Sequence, residues 1–238
     1  MALYRDRGVV LRTYRLGEAD RIVVIFTEAH GKVRAVAKGV RKTKSRFGAR
    51  LEPTSHVALL LYEGRELDVV TQADSLDHHP GVRADLGRLA KATAVLEAVD
   101  HVAQDREPDA NLYRMLVGAL HALDRRDSPL LVPAFYWKVL AAEGVAPMVE
   151  SCARCGATTD LVAFDLAEGG VLCRSCRSGS PISPAALALL RRVLLGELNA
   201  ALAEPVTPAT RELDALATTA FETHVERRLK AGSLHLDR

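Results

Sequence analysis

The sequence predicts an α+β protein in which a small N-terminal β-barrel precedes an α-helical domain with an inserted four-cysteine module. Three observations predict this class. Residues 8–72 contain short runs rich in Val, Ile, Leu and Thr, separated by turn signals. After about residue 80 the apolar period changes from two to three or four residues, which is typical of helices. Two Cys-x2-Cys pairs then interrupt the helical part. The chain has 238 residues, of which 48% are hydrophobic, and this is enough for one or two globular domains.

The barrel is predicted from five strands with no convincing helix between them. The third strand begins after Glu28-Ala29-His30-Gly31, a short connection whose glycine suits a hairpin. A five-stranded barrel of the OB type is a common unit of this size. The predicted strands are residues 8–14, 21–27, 32–38, 55–62 and 67–72.

The helical domain is predicted from apolar stripes and from capping residues followed by proline. Five helices are expected: one with Leu86, Leu89, Thr93, Leu96 and Val99 on its buried face, one capped by Asp109, one from about Pro133 to Gly144, and two that begin at Ser183-Pro184 and Thr207-Pro208. The sequence therefore divides into four segments: an OB-type barrel at 1–80, a first helical part at 81–150, the cysteine module at 151–180 and a second helical part at 181–238.

The four cysteines have the spacing of a tetrahedral metal site. Cys152-x2-Cys155 and Cys173-x2-Cys176 are separated by 17 residues, within the range of a four-cysteine zinc site. The intervening segment is expected to form a hairpin that turns at Glu168-Gly169-Gly170 and brings the two pairs together. Because four thiolates leave no position for a catalytic water, we expect one structural Zn2+. A redox motif or an iron–sulfur cluster is the alternative, although the βαβ pattern of a thioredoxin-like protein is absent.

Positive charge is concentrated near the N-terminus. Residues 1–50 hold 13 Lys and Arg against 4 Asp and Glu, whereas the remaining residues hold 19 against 26. Since the formal net charge of the chain is only +2, this segregation favours a polyanion-binding surface over a merely solvated face. We expect that surface on the third strand and the loop after it, where eight cations occur without an acid. They are Lys32, Arg34, Lys38, Arg41, Lys42, Lys44, Arg46 and Arg50.

Alternation along the third strand predicts which of these cations point outward. Lys32, Arg34 and Lys38 should lie on the outer face, with the intervening small apolar residues inside the barrel. Few aromatic residues are available to stack on bases, so we expect phosphate contacts to dominate, with little discrimination between single and double strands. The candidate stacking residues are Tyr14, Phe26, Phe47 and Tyr62.

No motif of a common enzyme class is present, and we expect a protein that is not an enzyme. The sequence lacks a G-x-x-x-x-G-K-[ST] phosphate loop, a G-x-G-x-x-G fingerprint, an H-E-x-x-H zinc motif and a G-x-S-x-G elbow. His78-His79 is expected to be an exposed pair, and His224 to lie on a helix, neither of them joined by carboxylates at ligand spacing. The charged start MALYRDRGVV and the lack of a long apolar run predict a cytoplasmic protein without a membrane span.

Three segments carry a family resemblance: Gly17-Glu18-Ala19-Asp20-Arg21, the run GKVRAVAKGVRKTKSRFGARLEP at 31–53, and ERRLKAGSL at 226–234. In these segments the sequence resembles the bacterial RecO family of recombination mediators and DNA repair proteins. The match covers essentially the whole chain, and its most specific part is 31–53. The four cysteines fall where zinc-containing members carry their ligands. Some members lack cysteines there, so the resemblance implies that the metal serves structure and not the core activity.

The resemblance implies an OB barrel, a helical domain and a zinc module in a protein that binds single- and double-stranded DNA. It further implies that the protein anneals complementary strands and helps to load RecA onto DNA coated by single-strand-binding protein. The implied partners are RecR, the C-terminal tail of single-strand-binding protein and, in some pathways, RecF, and the implied location is the nucleoid. Two alternatives stay open. One is a zinc-ribbon adaptor that binds proteins through its helices, and the other is an RNA-binding OB protein.

Overall fold

The computed structural model describes residues 2–42, 45 and 47–230, which form two compact units. The first unit contains the residues up to Asp127, together with Leu229 and Lys230, and the second contains Ser128–Arg228. These units group the elements by packing, so the four-segment division of the sequence stays a prediction. The class is α+β, as expected, with a closed five-stranded barrel of OB-like form followed by helices.

The first unit begins with the closed barrel, whose strand order is β1-β2-β3-β5-β4. All five predicted strands are confirmed, and the first is longer than predicted because it starts at Leu3. Gly31, at the end of the turn between β2 and β3, has a φ of +65°, a conformation that favours glycine. The strands are β1 (Leu3–Leu16), β2 (Asp20–Thr27), β3 (Gly31–Ala37), β4 (His56–Tyr62) and β5 (Asp68–Asp77).

Alternate residues of these strands fill the barrel interior. Val23 and Ile25 of β2 and Leu61 of β4 are fully buried there. Phe47 and Leu51, beside and within a short 3-10 helix (Gly48–Leu51), pack against the same core. The segment after β3 is therefore held to the barrel by two large apolar side chains.

One edge of β3 is completed by a distant part of the chain. β3 pairs with β5 only through Ala35 and Val36. Nearer the start of β3, the N–H of Lys32 donates to the carbonyl oxygen of Gln104 at 3.2 Å, and the N–H of Arg106 donates to the carbonyl oxygen of Lys32 at 3.1 Å. Residues 104–106 therefore close the gap that β5 leaves beside the first half of β3.

Three helices complete the first unit: α1 (Pro80–Ala84), α2 (Leu86–Val102) and α3 (Ala110–Arg125). Asp109 caps α3 as predicted, because its carboxylate accepts the N–H groups of Asn111 and Leu112. The buried stripe predicted for α2 is wrong at two positions. Leu86 is 74% exposed and Thr93 is exposed, since the helix packs instead through alanines such as Ala94 and Ala98.

The second unit contains the remaining elements. Ser183 and Thr207 cap α5 and α7 as predicted, and Thr207 forms a capping box with Thr210. Tyr136 of α4 stacks on Phe221 of α7, with ring centroids 4.6 Å apart. The elements are α4 (Leu131–Ala142), β6 (Leu161–Asp165), β7 (Gly170–Cys173), β8 (Ser180–Pro181), α5 (Pro184–Leu194), α6 (Leu198–Ala201) and α7 (Pro208–His224).

Among the helices that the structure describes, none combines the length and the apolar character needed to cross a bilayer.

Candidate nucleic-acid interface and metal centre

Strand β3 and the residue directly after it present two unpaired cations on the outside of the barrel. The side chains of β3 alternate, so that Val33, Ala35 and Ala37 are fully buried in the barrel core. Arg34 and Lys38 lie on the opposite face and are exposed. Neither of these two side chains has an ion-pair or hydrogen-bond partner among the residues described. Their charges are therefore available to an external anion.

Lys32 occupies the same face but a different environment. Its side chain is only 15% exposed. The ammonium group donates to the carbonyl oxygen of Asp100 at 2.9 Å and lies 3.8 Å and 3.6 Å from carboxylate oxygens of Asp100 and Asp105. The protein's own acids thus compensate this charge, and the row of cations on β3 is shorter than the alternation alone indicates.

The loop after β3 adds further exposed cations and is anchored to the β1–β2 turn. The N–H of Gly39 donates to the carboxylate of Asp20 at 2.7 Å, and the guanidinium of Arg41 donates to the carbonyl oxygen of Glu18 at 2.8 Å. Lys42 and Arg50 are exposed as well. Lys44 and Arg46, which belong to the same predicted set, lie outside the described residues.

The aromatic candidates divide into two groups. Phe26 and Phe47 are buried, so neither can stack on a base. Tyr14 and Tyr62 are 42% and 39% exposed. The guanidinium of Arg12 lies over the ring of Tyr14, 5.1 Å from its centroid, and Arg12 also pairs with Asp100 at 2.9 Å.

The strand register brings this Arg12–Tyr14 pair close to β3. Arg12 is opposite Val24 on β2, and Val24 is opposite Arg34 on β3. Arg12 and Arg34 therefore lie on either side of Val24 on the outer face of the sheet. The sequence analysis missed Arg12, although the two-residue period of β1 places it on the same face as Tyr14.

The four cysteines form a compact cluster in the second unit. Their sulfur atoms all lie within 4.8 Å of one another, and the sulfurs of Cys155 and Cys173 are 3.7 Å apart. Thiolates bound about 2.3 Å from one tetrahedral zinc are roughly 3.8 Å apart. The spacing of the cluster therefore fits four ligands of one ion.

Local backbone structure explains why the cysteines converge. β6 and β7 form the predicted hairpin, in which Leu161 pairs with Cys173. In the first Cys-x2-Cys turn, the N–H of Gly156 donates to the carbonyl oxygen of Cys152 at 2.8 Å. Gly156 has a φ of +77°, a conformation in which a side chain would be strained.

Hydrogen bonds within the cluster favour the thiolate form of Cys152. The backbone N–H of Cys173 lowers the pKa of Cys152 to about 6, with support from the N–H groups of Cys155 and Arg154. Hydrogen bonding with Cys155 and the proximity of the other sulfurs raise the pKa of Cys176 to about 12. Four neighbouring sulfurs can be ionised together only when a cation compensates their charge.

A second group of metal-ligating side chains was not expected from the sequence. His79 is fully buried, so the prediction of an exposed His78-His79 pair is wrong for His79, although His78 is exposed. Its ring nitrogen Nδ1 lies 3.1 Å from a carboxylate oxygen of Asp77, and the other oxygen of Asp77 lies 3.2 Å from Nε2 of His121. The Asp-x-His spacing was a usable signal, whereas the distant His121 gave none.

Two protein-family models match the chain, one over the barrel strands and one over the residues that follow them. The family model described as recombination protein O N terminal matches residues 1–79, and the model described as recombination protein O C terminal matches residues 83–232. Together they cover nearly the whole chain. The protein therefore belongs to the recombination protein O (RecO) family of DNA-repair recombination mediators.

Proposed function

We propose that the protein binds single- and double-stranded DNA through the outer face of β3 and the loop after it, and acts by binding and not by catalysis. The observation that carries this proposal is the pair of exposed, uncompensated cations Arg34 and Lys38. Arg41, Lys42 and Arg50 extend the positive surface beside them. We retain Lys44 and Arg46 on sequence grounds, and we give Lys32 a supporting role because of its ion pairs.

Such a surface suits the annealing of complementary strands. Contacts from Lys and Arg to phosphates reduce the repulsion between two strands and leave the base edges free to pair. Two of the four candidate aromatics are buried and only Tyr14 and Tyr62 are partly exposed, so we expect base stacking to contribute little. We therefore expect similar affinities for single and double strands.

The same proposal includes the partners that the family resemblance implies. They are RecR, the C-terminal tail of single-strand-binding protein and, in some pathways, RecF. With them, the protein would help to load RecA onto DNA coated by single-strand-binding protein. In the second unit, Cys152, Cys155, Cys173 and Cys176 would hold one Zn2+, which would supply a tetrahedral crosslink and no open coordination position.

The test is a strand-annealing assay with the full chain on complementary strands coated by single-strand-binding protein. We expect annealing to be faster with intact single-strand-binding protein than with a form that lacks its acidic tail. Absence of DNA binding and annealing would favour the zinc-ribbon adaptor instead. Tight binding of RNA that DNA fails to displace would favour an RNA-binding barrel.

A further inference from the structure

Three potential ligands converge at the point where the barrel meets the first helices. Asp77 is the last residue of β5, His79 directly precedes α1, and His121 lies on α3. One side-chain ligand atom from each lies within 4.8 Å of the others. All three residues belong to the first unit, and none belongs to the cationic surface or the cysteine cluster.

His79 is the unusual member of this group. Its side chain is 0% exposed, and neither ring nitrogen has a hydrogen-bond partner among the described residues. A buried polar group without a hydrogen-bond partner destabilises the folded state. Nδ1 of His79 lies 3.1 Å from a carboxylate oxygen of Asp77, but this contact lacks the geometry of a hydrogen bond. Two ligands of one metal ion approach each other in this way.

The surrounding polar groups have other partners. Nε2 of His56 is hydrogen-bonded to the hydroxyl of Tyr113 at 2.9 Å. The carboxylate of Asp124 accepts the N–H groups of Gly81 and Val82 at the start of α1. These neighbours therefore leave the ring nitrogens of His79 unsatisfied, and an ion between His79, Asp77 and His121 would satisfy one of them.

We propose that Asp77, His79 and His121 form a second metal site that binds a divalent transition ion such as Zn2+. Two imidazoles and one carboxylate are a donor set that zinc accepts. Nitrogen and oxygen ligands about 2.0–2.1 Å from a tetrahedral zinc are roughly 3.3 Å apart. The separations of 3.1 Å and 3.2 Å, which join the two histidines to different oxygens of the Asp77 carboxylate, are close to this value.

The site differs in kind from the cysteine cluster. Its three protein ligands leave a fourth position open, and the side chain of His121 is 46% exposed, so that water can reach the ion. A bound ion would join β5, α1 and α3 and thereby stabilise the first unit.

The experiment compares the full-length protein with its His121→Gln and His78→Gln variants. His121 is chosen because it is partly exposed and its replacement leaves the core intact, which circular dichroism would verify. His78 is the matched control, since it is exposed and adjacent to the site. Each protein is equilibrated with Zn2+ and its bound metal is counted, and each is then loaded with Co2+ for visible absorption spectroscopy.

We expect the wild type and His78→Gln to bind a second equivalent of metal that His121→Gln lacks. The Co2+ spectrum should separate the two sites, because only the cysteine cluster gives sulfur-to-metal charge-transfer bands. His121→Gln should lower the metal affinity of the second site by more than the roughly 10- to 100-fold that is lost when a residue hydrogen-bonded to a ligand is replaced. A wild type that binds metal only at its cysteines would overturn the proposal, and so would a second equivalent that survives His121→Gln or is lost equally in His78→Gln.

Discussion

Neutralising Arg34 and Lys38 should reduce the salt dependence of DNA binding by a calculable amount. Among the described residues, five cations of the predicted surface are exposed, namely Arg34, Lys38, Arg41, Lys42 and Arg50. If each neutralises one phosphate of a single strand, log affinity should fall against log salt with a slope of about −3.5. The double variant Arg34→Gln/Lys38→Gln retains three of these cations, so its slope should be about −2.1.

Fluorescence anisotropy with a labelled oligonucleotide measures this difference. Between about 50 and 200 mM salt, the wild type should lose roughly 130-fold in affinity and the double variant roughly 20-fold. A matched control is Arg125→Gln/Arg126→Gln, which removes two exposed cations at the end of α3. The control should keep the wild-type slope.

The same data can refute the reasoning. An unchanged slope in Arg34→Gln/Lys38→Gln would remove the outer face of β3 from the interface. An equal reduction in the control would mean that binding depends on net charge and not on this surface. A change of slope that depends on DNA sequence would contradict the expectation that phosphates dominate.

Three further predictions concern the scaffold. Asp68 is fully buried, and its carboxylate accepts hydrogen bonds from Tyr4 and from Arg106 at 2.6 Å, so Asp68→Asn should lower the free energy of unfolding by about 2 kcal/mol in urea titrations. Burial alone would raise the pKa of Asp68, but Arg106, Tyr4 and the N–H of Gly64 lower it. The ionised Asp68 should therefore stabilise the fold fully above about pH 4, and this stabilisation should fade as the pH falls through the lowered pKa. The difference in stability between the wild type and Asp68→Asn should shrink accordingly in acid. Gly31→Ala should destabilise the protein by more than about 1 kcal/mol in thermal unfolding, because a Cβ there would lie 2.1 Å from the carbonyl oxygen of Glu107. Gly17→Ala is the control: Gly17 has a similar φ but open space around it, so this variant tests the effect of the backbone conformation alone. Cys173→Ser should make residues 150–180 sensitive to proteolysis, and cleavage that begins elsewhere would contradict a structural metal at the cysteines.

Features set by local chemistry were predictable from the sequence. The five strands follow from a two-residue apolar period, and the starts of α5 and α7 follow from a capping residue next to proline. The cysteine cluster was predictable because its two Cys-x2-Cys turns and the hairpin between them are short-range features. The stripe predicted for α2 is wrong at Leu86 and Thr93, because alanines such as Ala94 and Ala98 supply buried contacts of this helix.

Features set by tertiary contacts were not predictable. The compensation of Lys32 depends on Asp100 and Asp105, which are about seventy positions away along the chain. The burial of Phe47 depends on how the loop after β3 folds onto the barrel. Likewise, His121 reaches Asp77 only because α3 packs near the end of β5. Periodicity carries no information on such pairs.

The closure of β3 by residues 104–106 bears on whether the barrel can fold autonomously. A polypeptide ending near residue 80 would contain all five strands but would leave the N–H and carbonyl groups of Lys32 without their partners. It would also lack Arg106, and so would bury the carboxylate of Asp68 without its cation. Unpaired strand edges invite intermolecular pairing, so such a fragment should self-associate. The smallest independent folding unit at this end of the protein therefore extends well beyond the last barrel strand.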